Sequence, residues 1–237
     1  MDLFLGNQID SEVFHLNEEE SHHCVRVLRH RLYDEILVTE FQGKIWQATI
    51  VDLSSTLVKC RITKVFREER LTNLSIVAFG MLQDRERMEW MVEKMTEFGV
   101  DIVIPLKSER SMKSNLNLVR LGKIITAACK QNLRTKKPII AEIQTIQQLI
   151  ASQPIAQKFV AHCQEEIKTS LWEVVQSGKD ALICIGPEGD FSSKEIELML
   201  HNGFHAVSLG QSRLRSETAA IAACHIFAMK SELEYED

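Results

Sequence analysis

Prolines, glycines and aromatic residues are scarce in this chain of 237 residues. Aromatic residues make up 6% of it, and the low counts of 4 Pro and 10 Gly exclude collagen-like and loop-dominated architectures. The sequence also lacks any apolar run near the roughly 20 residues that span a bilayer. Residues 1–4 carry no basic segment ahead of an apolar one, so we expect neither a membrane-spanning helix nor a secretory signal.

Positive charge does not dominate either, because 28 Lys and Arg stand against 33 Asp and Glu, for a net charge of −5. This balance excludes a uniformly basic nucleic-acid binder, although a local basic patch is compatible with it. The chain does have ample apolar material, with 45% hydrophobic and 26% charged residues. Disorder over most of its length is therefore excluded.

Metal-binding spacings are missing as well. The sequence has no CxxC pair and no HxxxH or HExxH motif, and adjacent His22 and His23 would point to different helix faces, so we predict no metal site. Scattered cysteines in apolar surroundings favour small buried side chains and a reducing, cytoplasmic location. The six are Cys24, Cys60, Cys129, Cys163, Cys184 and Cys224.

The first part of the chain has the pattern of short strands. Val58, Cys60 and Ile62 alternate with polar residues, which is the period-two pattern of a half-buried strand. The charged stretch 67–70 is the candidate linker to the rest of the chain. We therefore predict a small β-barrel or sandwich over residues 1–70.

Beyond the linker, strands alternate with helices. A helical stripe of methionines ends at Phe98 and Gly99, where glycine favours a helix stop. Short strands are predicted over 74–79, 102–104, 139–143, 158–161, 181–185 and 206–209. This alternation predicts a mostly parallel sheet covered by helices over residues 71–237.

The predicted strand that ends at Ile185 runs into the turn Gly186-Pro187-Glu188-Gly189. Ligands bind where parallel strands end, and glycines there let a ligand approach the backbone. Ser192 and Glu195 have the capping-box spacing that opens a helix. The spacing of a P-loop is absent, and the acidic residues favour a ligand with a positive centre or an adenosine edge over a phosphate. A purely structural turn is the alternative.

A second strand ends in the turn at Leu209-Gly210 and leads to a helix. Ser216 is a candidate N-cap, and Glu217 suits the positive end of the helix dipole. Arg213, Arg215 and Glu217 could form a solvated ion cluster, but strand order could also bring this loop beside the first turn.

These segments together resemble a known family. The turn Gly186-Pro187-Glu188-Gly189, then Leu209-Gly210 and Leu214-Arg215-Ser216-Glu217-Thr218-Ala219, are similar to the signature of the ribosomal small-subunit RNA methyltransferase E family of the SPOUT superfamily. Stretches between residues 84 and 111 and the segment 22–29 resemble other motifs of that family. The resemblance covers nearly the whole chain.

The resemblance implies an α/β fold with a SPOUT-type, trefoil-knotted parallel sheet and helices on both faces over residues 71–237. It adds a PUA-like, RNA-binding β-barrel over residues 1–70. The implied activity is S-adenosylmethionine-dependent methylation of N3 of a specific uridine in 16S ribosomal RNA, on the assembled small subunit, by a homodimer. A SPOUT enzyme for another RNA, a non-catalytic RNA-binding assembly factor and a small-molecule enzyme with a nucleotide cofactor stay as alternatives.

By the same resemblance, the cofactor would contact His162, Ile185, Gly186, Pro187, Glu188, Gly189, Leu209, Gly210, Leu214, Thr218 and Ala219. Uracil N3–H is a weak acid, so positive charge or a general base would assist the transfer. We expect Arg215 to supply the charge. Glu217 and Glu188 are weaker candidates for the base, because an N-terminal helix or salt-bridge role suits Glu217 equally well.

RNA contacts are predicted mainly on a helix over residues 18–31, whose apolar face would hold Val25, Leu28 and Leu32. Its other side would carry basic residues, and a solvated helix face is the alternative. Because residues 1–68 hold 8 Lys and Arg against 11 Asp and Glu, binding must come from a patch. The predicted RNA-binding residues are His22, Arg26, Arg29 and Arg110. The sequence departs from the common family pattern at Tyr33, Lys130, Asn132 and Ser216.

Overall fold

The computed structural model describes residues 1–69, 73–111, 116–152, 155–164 and 168–232. These residues form two compact units. The first contains residues 1–71 and 126–137, and the second contains residues 72–125 and 138–237. No helix in the described part of the chain is long and apolar enough to cross a membrane.

Five strands of the first unit close into a barrel in the order β1-β2-β5-β4-β3. They are β1 Leu3–Gln8, β2 Val13–Leu16, β3 Glu35–Thr39, β4 Lys44–Asp52 and β5 Lys59–Glu68. Strands β1 and β3 pair in parallel to close it, and the other pairs are antiparallel. Alternate residues point inward and form its core, among them Phe14, Trp46 and Cys60. The predicted barrel is confirmed.

The helix predicted over residues 18–31 is only partly correct. Helix α1 covers Glu18–His22, with the Asn17 side chain accepting from the Glu20 backbone N–H, and a π-helical turn continues it over His23–Val27. The chain then leaves the helix, and Leu28 and Leu32 are 41% and 48% exposed. They do not form the predicted buried face, because the helix ends before it reaches them.

The linker predicted over 67–70 begins too early. Arg67 and Glu68 belong to β5, and the Arg67 guanidinium donates to the Leu133 carbonyl at 3.0 Å. Arg70 lies outside the described residues. The segment 126–137 joins the barrel unit through such contacts, including the ion pair of Lys130 with Glu20 at 2.7 Å.

The second unit is built on a parallel sheet of eight strands. Its strands are β6 Ser75–Gly80, β7 Ile102–Lys107, β8 Ile139–Ile140, β9 Gln144–Thr145, β10 Gln157–Ala161, β11 Thr169–Ser170, β12 Ala181–Ile185 and β13 His205–Ser208. Their order is β11-β13-β10-β12-β6-β7-β8, with β9 also paired to β7. The strand predicted over 139–143 is wrong beyond Ile140, where the pairing with β7 stops.

Helices lie on both faces of this sheet. The helices that belong wholly to this unit are α2 Arg85–Glu97, α4 Ile146–Ser152, α5 Leu171–Val174, α6 Ser193–His201 and α7 Ser216–Glu232, whereas α3 Leu118–Gln131 begins in this unit and ends in the segment 126–137 of the first unit. Ile76, Ala78 and Cys184 on one face pack with residues of α4 and α6. Helix α7 contacts β6 and β12 and packs against α2. The mixed α/β prediction is confirmed, and the knot implied by the resemblance stays a prediction.

Candidate cofactor site

A cavity of about 770 Å³ opens at the carboxyl ends of β10, β12 and β13. These strands are neighbours in the sheet although they are distant in sequence, so their three following loops meet at one edge. The cavity walls include Ala161, Ile185 and Val207, the last or nearly last residues of the three strands. Strand β10 lies between β12 and β13, so the two glycine-containing turns do not follow adjacent strands. They flank the loop after β10, and all three loops line the same cavity.

The turn after β12 is fixed by Asp190, which has a left-handed backbone with φ of 62°. Its Oδ1 accepts from the Phe191 N–H, and its Oδ2 accepts from the Cys163 N–H, both at 2.8 Å. Asp190 thus joins the loop after β12 to the loop after β10. A Cβ at Gly186 would lie 2.8 Å from Asp190 Oδ1 and 3.1 Å from both Asp190 Cα and Phe191 N, so a side chain there would displace the Asp190 turn.

The far end of this turn is anchored by α6. Ser192 accepts from the Glu195 backbone and Glu195 accepts from the Ser192 N–H at 2.8 Å, which confirms the predicted capping box. The same Glu195 carboxylate accepts from the Glu109 N–H at 2.8 Å. The Arg110 guanidinium donates to the Gly189 carbonyl at 3.0 Å.

The second turn passes through Gly210, whose φ of 125° is disfavoured for residues with a side chain. Helix α7 begins at Ser216, and the Arg215 carbonyl accepts the Ala219 N–H at 2.8 Å. The prediction of Ser216 as the N-cap is therefore wrong, because this residue already lies inside the helix. Arg215 is exposed and lines the cavity.

Glu217 forms a bidentate ion pair with Arg87 on α2. The guanidinium donates to both carboxylate oxygens, with Nη2 at 2.7 Å from Oε1 and 2.6 Å from Oε2. Arg87 also lies 3.7 Å from Glu188 Oε1, and that same oxygen accepts the Gln83 N–H at 3.2 Å. Arg87 thus connects the first turn of α7 with the turn after β12, and its own side chain lines the cavity.

This pair determines the charge of Glu217. Burial alone would raise the pKa of the Glu217 carboxyl, but the hydrogen bonds from Arg87 and from its own backbone, with the charges of Arg87 and Arg215, outweigh it. Its pKa therefore lies below the ordinary value. The pKa of Arg87 is raised by the same hydrogen bonds. Glu217 is an ionised carboxylate whose two oxygens are already engaged.

The structure brings most of the predicted cofactor residues together. Those that line the cavity are His162, Ile185, Gly186, Pro187, Glu188, Leu209, Gly210, Leu214 and Ala219. Gly189, Glu217 and the exposed Thr218 are not among its described lining residues. The loop after β10 is braced by Lys168, whose ammonium donates to the His162 carbonyl at 2.9 Å.

Sequence reasoning missed Arg87 and Lys168 as charged residues of the wall, and it included Asp190 only among the acidic residues of the turn. Arg87 belongs to a stretch that the family resemblance covers, so its basic character was available as a signal. The sequence presents Asp190 only as a charge that repels phosphate. Its φ and its contact with the distant Cys163 backbone are set by the fold.

The predicted RNA-binding residues divide between the two units. His22, Arg26 and Arg29 are exposed in the barrel unit, and Arg110 is exposed in the sheet unit beside Gly189. Among the residues that the structure describes, no group of His, Cys, Asp and Glu side chains could hold a metal ion.

A parallel sheet with helices on both faces and a nucleoside-sized cavity on backbone turns defines a class, the α/β enzymes that hold a cofactor at the carboxyl edge of the sheet. Comparison with known proteins narrows this class. A family model described as "RNA methyltransferase domain" matches residues 69–228, and one described as "RNA methyltransferase PUA domain" matches residues 16–63. The chain therefore belongs to the RNA methyltransferase family.

Individual relatives agree with this assignment. A probable rRNA-methyltransferase from Porphyromonas gingivalis is 33% identical, with a TM-score of 0.88 over 99% of this chain and 100% of its own. Ribosomal RNA small subunit methyltransferase E from Neisseria gonorrhoeae, solved bound to S-adenosyl methionine, is 25% identical with a TM-score of 0.84 over 98% of both chains. The Bacillus subtilis protein of the same name is 26% identical, over 94% of this chain and 93% of its own.

Proposed function

We propose that this protein transfers a methyl group from S-adenosylmethionine to N3 of a specific uridine in 16S ribosomal RNA of the small subunit. The observation that carries the proposal is the cavity formed by the turns after β10, β12 and β13, in a chain whose relatives are named as small-subunit methyltransferases. The position N3 comes from the resemblance of the motifs around Gly186 and Arg215.

The residues of the cavity fit this cofactor. A volume of about 770 Å³ is in the range of sites that enclose nucleoside-sized ligands. Backbone groups of the turns at Gly186 and Gly210 are close to the cavity and can bind an adenine edge, and the carboxylates of Glu188 and Asp190 favour a positive centre. When bound, the cofactor supplies an electrophilic methyl group on a sulfonium.

The chain's own residues would assist by charge and position. A uridine attacked through N3 must lose its N3 proton, and the negative charge spreads onto the base. Arg215 lines the cavity with an exposed guanidinium, which suits stabilisation of that anion. We assign Glu217 to holding Arg87 rather than to proton removal, because both its oxygens accept from the guanidinium. Glu188, more exposed, is the better candidate for a base.

We further propose residues 1–70 as the RNA-binding domain and residues 71–237 as the methyltransferase domain. His22, Arg26, Arg29 and Arg110 would contact the ribosomal RNA through its phosphates. The target base must be unpaired or extruded to reach N3. A homodimer and a reducing, cytoplasmic location complete the proposal, the latter in keeping with six free cysteines.

The test combines cells and purified protein. Ribosomal RNA from cells lacking this protein should lose one methylated uridine, which site mapping by nucleoside analysis would locate. Arg215→Ala should lower methyl transfer by roughly 100-fold or more, the usual effect of losing one charge-stabilising donor. Cofactor affinity measured by calorimetry should change little. Cofactor binding without any loss of a methyl group in the cells would favour a non-catalytic assembly factor instead.

A further inference from the structure

The barrel unit presents an unusual surface segment that runs from the last residue of α1 through the π-helical turn to Tyr33. Residues 22–33 contain three arginines and three histidines but no carboxylate, in a part of the chain where acidic residues are in the majority. Arg26, Arg29 and Arg31 are exposed. The positive charge of the segment comes from these arginines, because His30 contacts the carboxylates of Asp2 and Asp34. Phosphates are the charge complementary to the exposed arginines.

Tyr33 lies at the end of this segment and is 77% exposed. Its backbone is left-handed, with φ of 73°, a conformation that is costly for a bulky residue. The exposed ring gains little burial to offset that cost. Residues with strained backbones cluster at ligand-binding sites, which makes the exposed Tyr33 side chain a candidate ligand contact.

The backbone around Tyr33 is held firmly in place. Its N–H donates to the Ile50 carbonyl at 2.9 Å, and the Ile50 N–H donates to the Asp34 carbonyl at 3.0 Å. The Asp34 carboxylate accepts from the Arg31 N–H at 2.8 Å and contacts His30 at 3.1 Å. The ring is thus presented on a rigid turn, so little ordering is needed when a ligand binds it.

We propose that Tyr33 is a stacking platform for an unpaired base of single-stranded RNA, whose phosphates contact the neighbouring arginines. An exposed aromatic ring next to positive charge is the arrangement with which proteins bind single strands. A base in a duplex offers no free face to the ring. This inference rests on the proposed function in assuming that the barrel unit binds RNA.

The test measures binding of the full-length protein to a short single-stranded RNA and to a duplex of the same sequence. Tyr33→Ala should weaken binding to the single strand about tenfold and leave duplex binding unchanged, while Tyr33→Phe should bind like the parent. A 2-aminopurine base in the single strand should lose fluorescence with the parent and not with Tyr33→Ala. Phe66→Ala, which removes another exposed ring of the barrel unit, is the matched control and should have no effect.

Tyr33→Gly separates a binding role from a structural one. Glycine accepts a φ of 73°, so this variant should melt no lower than the parent and yet bind single-stranded RNA as poorly as Tyr33→Ala. Parent-like RNA binding by both variants would overturn the inference and leave the methyltransferase proposal intact. If the parent itself binds no RNA, the RNA part of the proposed function fails, and this inference fails with it.

Discussion

At the scale of single residues, the pair of Arg87 with Glu217 makes the sharpest prediction. Arg87→Met should lower the free energy of unfolding at neutral pH by about 1–3 kcal/mol, because a buried carboxylate loses its charged donor. Chemical denaturation would measure this change. Arg85→Met, on the same helix but on its exposed side, should cost less than about 0.5 kcal/mol.

The lowered pKa of Glu217 determines how the stabilisation by this ion pair changes with pH. The pKa of Glu217 in the folded parent lies below the ordinary 4.5, so the pair stabilises the protein above that pH and the stabilisation is lost as pH falls through the folded value. In Arg87→Met, burial would instead raise the pKa of Glu217. The difference in stability between parent and variant should therefore shrink on acidification. A difference that is independent of pH would contradict the ion-pair assignment.

The cysteines provide a chemical probe of the cavity. Burial raises the pKa of Cys24 to about 11, of Cys60 to about 12 and of Cys129 to about 11, so these thiols stay protonated. Cys163 is exposed and lines the cavity. A maleimide should modify Cys163 first, as peptide mass spectrometry would show. S-adenosylmethionine at about ten times its Kd should slow this reaction about tenfold.

The control for that experiment is Cys163→Ser, which should leave only slow modification of the remaining thiols. Equal reaction rates with and without the cofactor would place the bound cofactor away from the loop after β10.

At the scale of elements, the two cofactor turns depend on glycine in a way that can be measured. Gly186→Ala should lower stability by about 1–3 kcal/mol and weaken S-adenosylmethionine binding, because its Cβ would push Asp190 and hence the Cys163 loop. Gly122→Ala is the matched control. It lies within α3 with open space around it, so stability should stay equal or rise by up to about 1 kcal/mol. Denaturation and calorimetry would separate the two effects, and unchanged cofactor affinity in Gly186→Ala would contradict the site.

The elements that could be predicted from the sequence are those with a strong local pattern. Strand β12 and the capping box at Ser192 lie where the pattern placed them, because burial on both faces and cap chemistry are local properties. The helix predicted over residues 18–31 is too long. The spacing of Leu28 and Leu32 predicted a buried helix face, but spacing alone does not determine whether residues are buried. Their burial depends on what packs against them, which no short window contains.

At the scale of the whole molecule, the sequence pattern indicated two domains. It did not indicate that the segment 126–137 belongs to the first unit. The change from alternating strands to β-α repeats near residue 70 reflects two different cores. Nothing local marks the segment 126–137 as part of the barrel unit, because its link is the contact of Lys130 with Glu20, far apart in sequence. The cavity also depends on contacts between residues that are far apart in sequence. The glycines of each turn could be recognised in the sequence. Arg87 lines the cavity only because the fold brings α2 beside Glu188 in the turn after β12.

The last prediction concerns how RNA binding depends on salt. A chain with a net charge of −5 can bind RNA only through a local positive surface. For single strands, the logarithm of the binding constant falls with the logarithm of salt concentration by roughly 0.7 per phosphate contact. Arg26→Ala combined with Arg29→Ala should therefore reduce that slope by about 1.4 and weaken binding at low salt. Lys59→Ala, which removes a lysine paired with Asp52 on the same barrel, should leave the slope unchanged. Equal slopes for the double variant and the parent would mean that the RNA phosphates contact another surface, and titrations at several salt concentrations decide between the two outcomes.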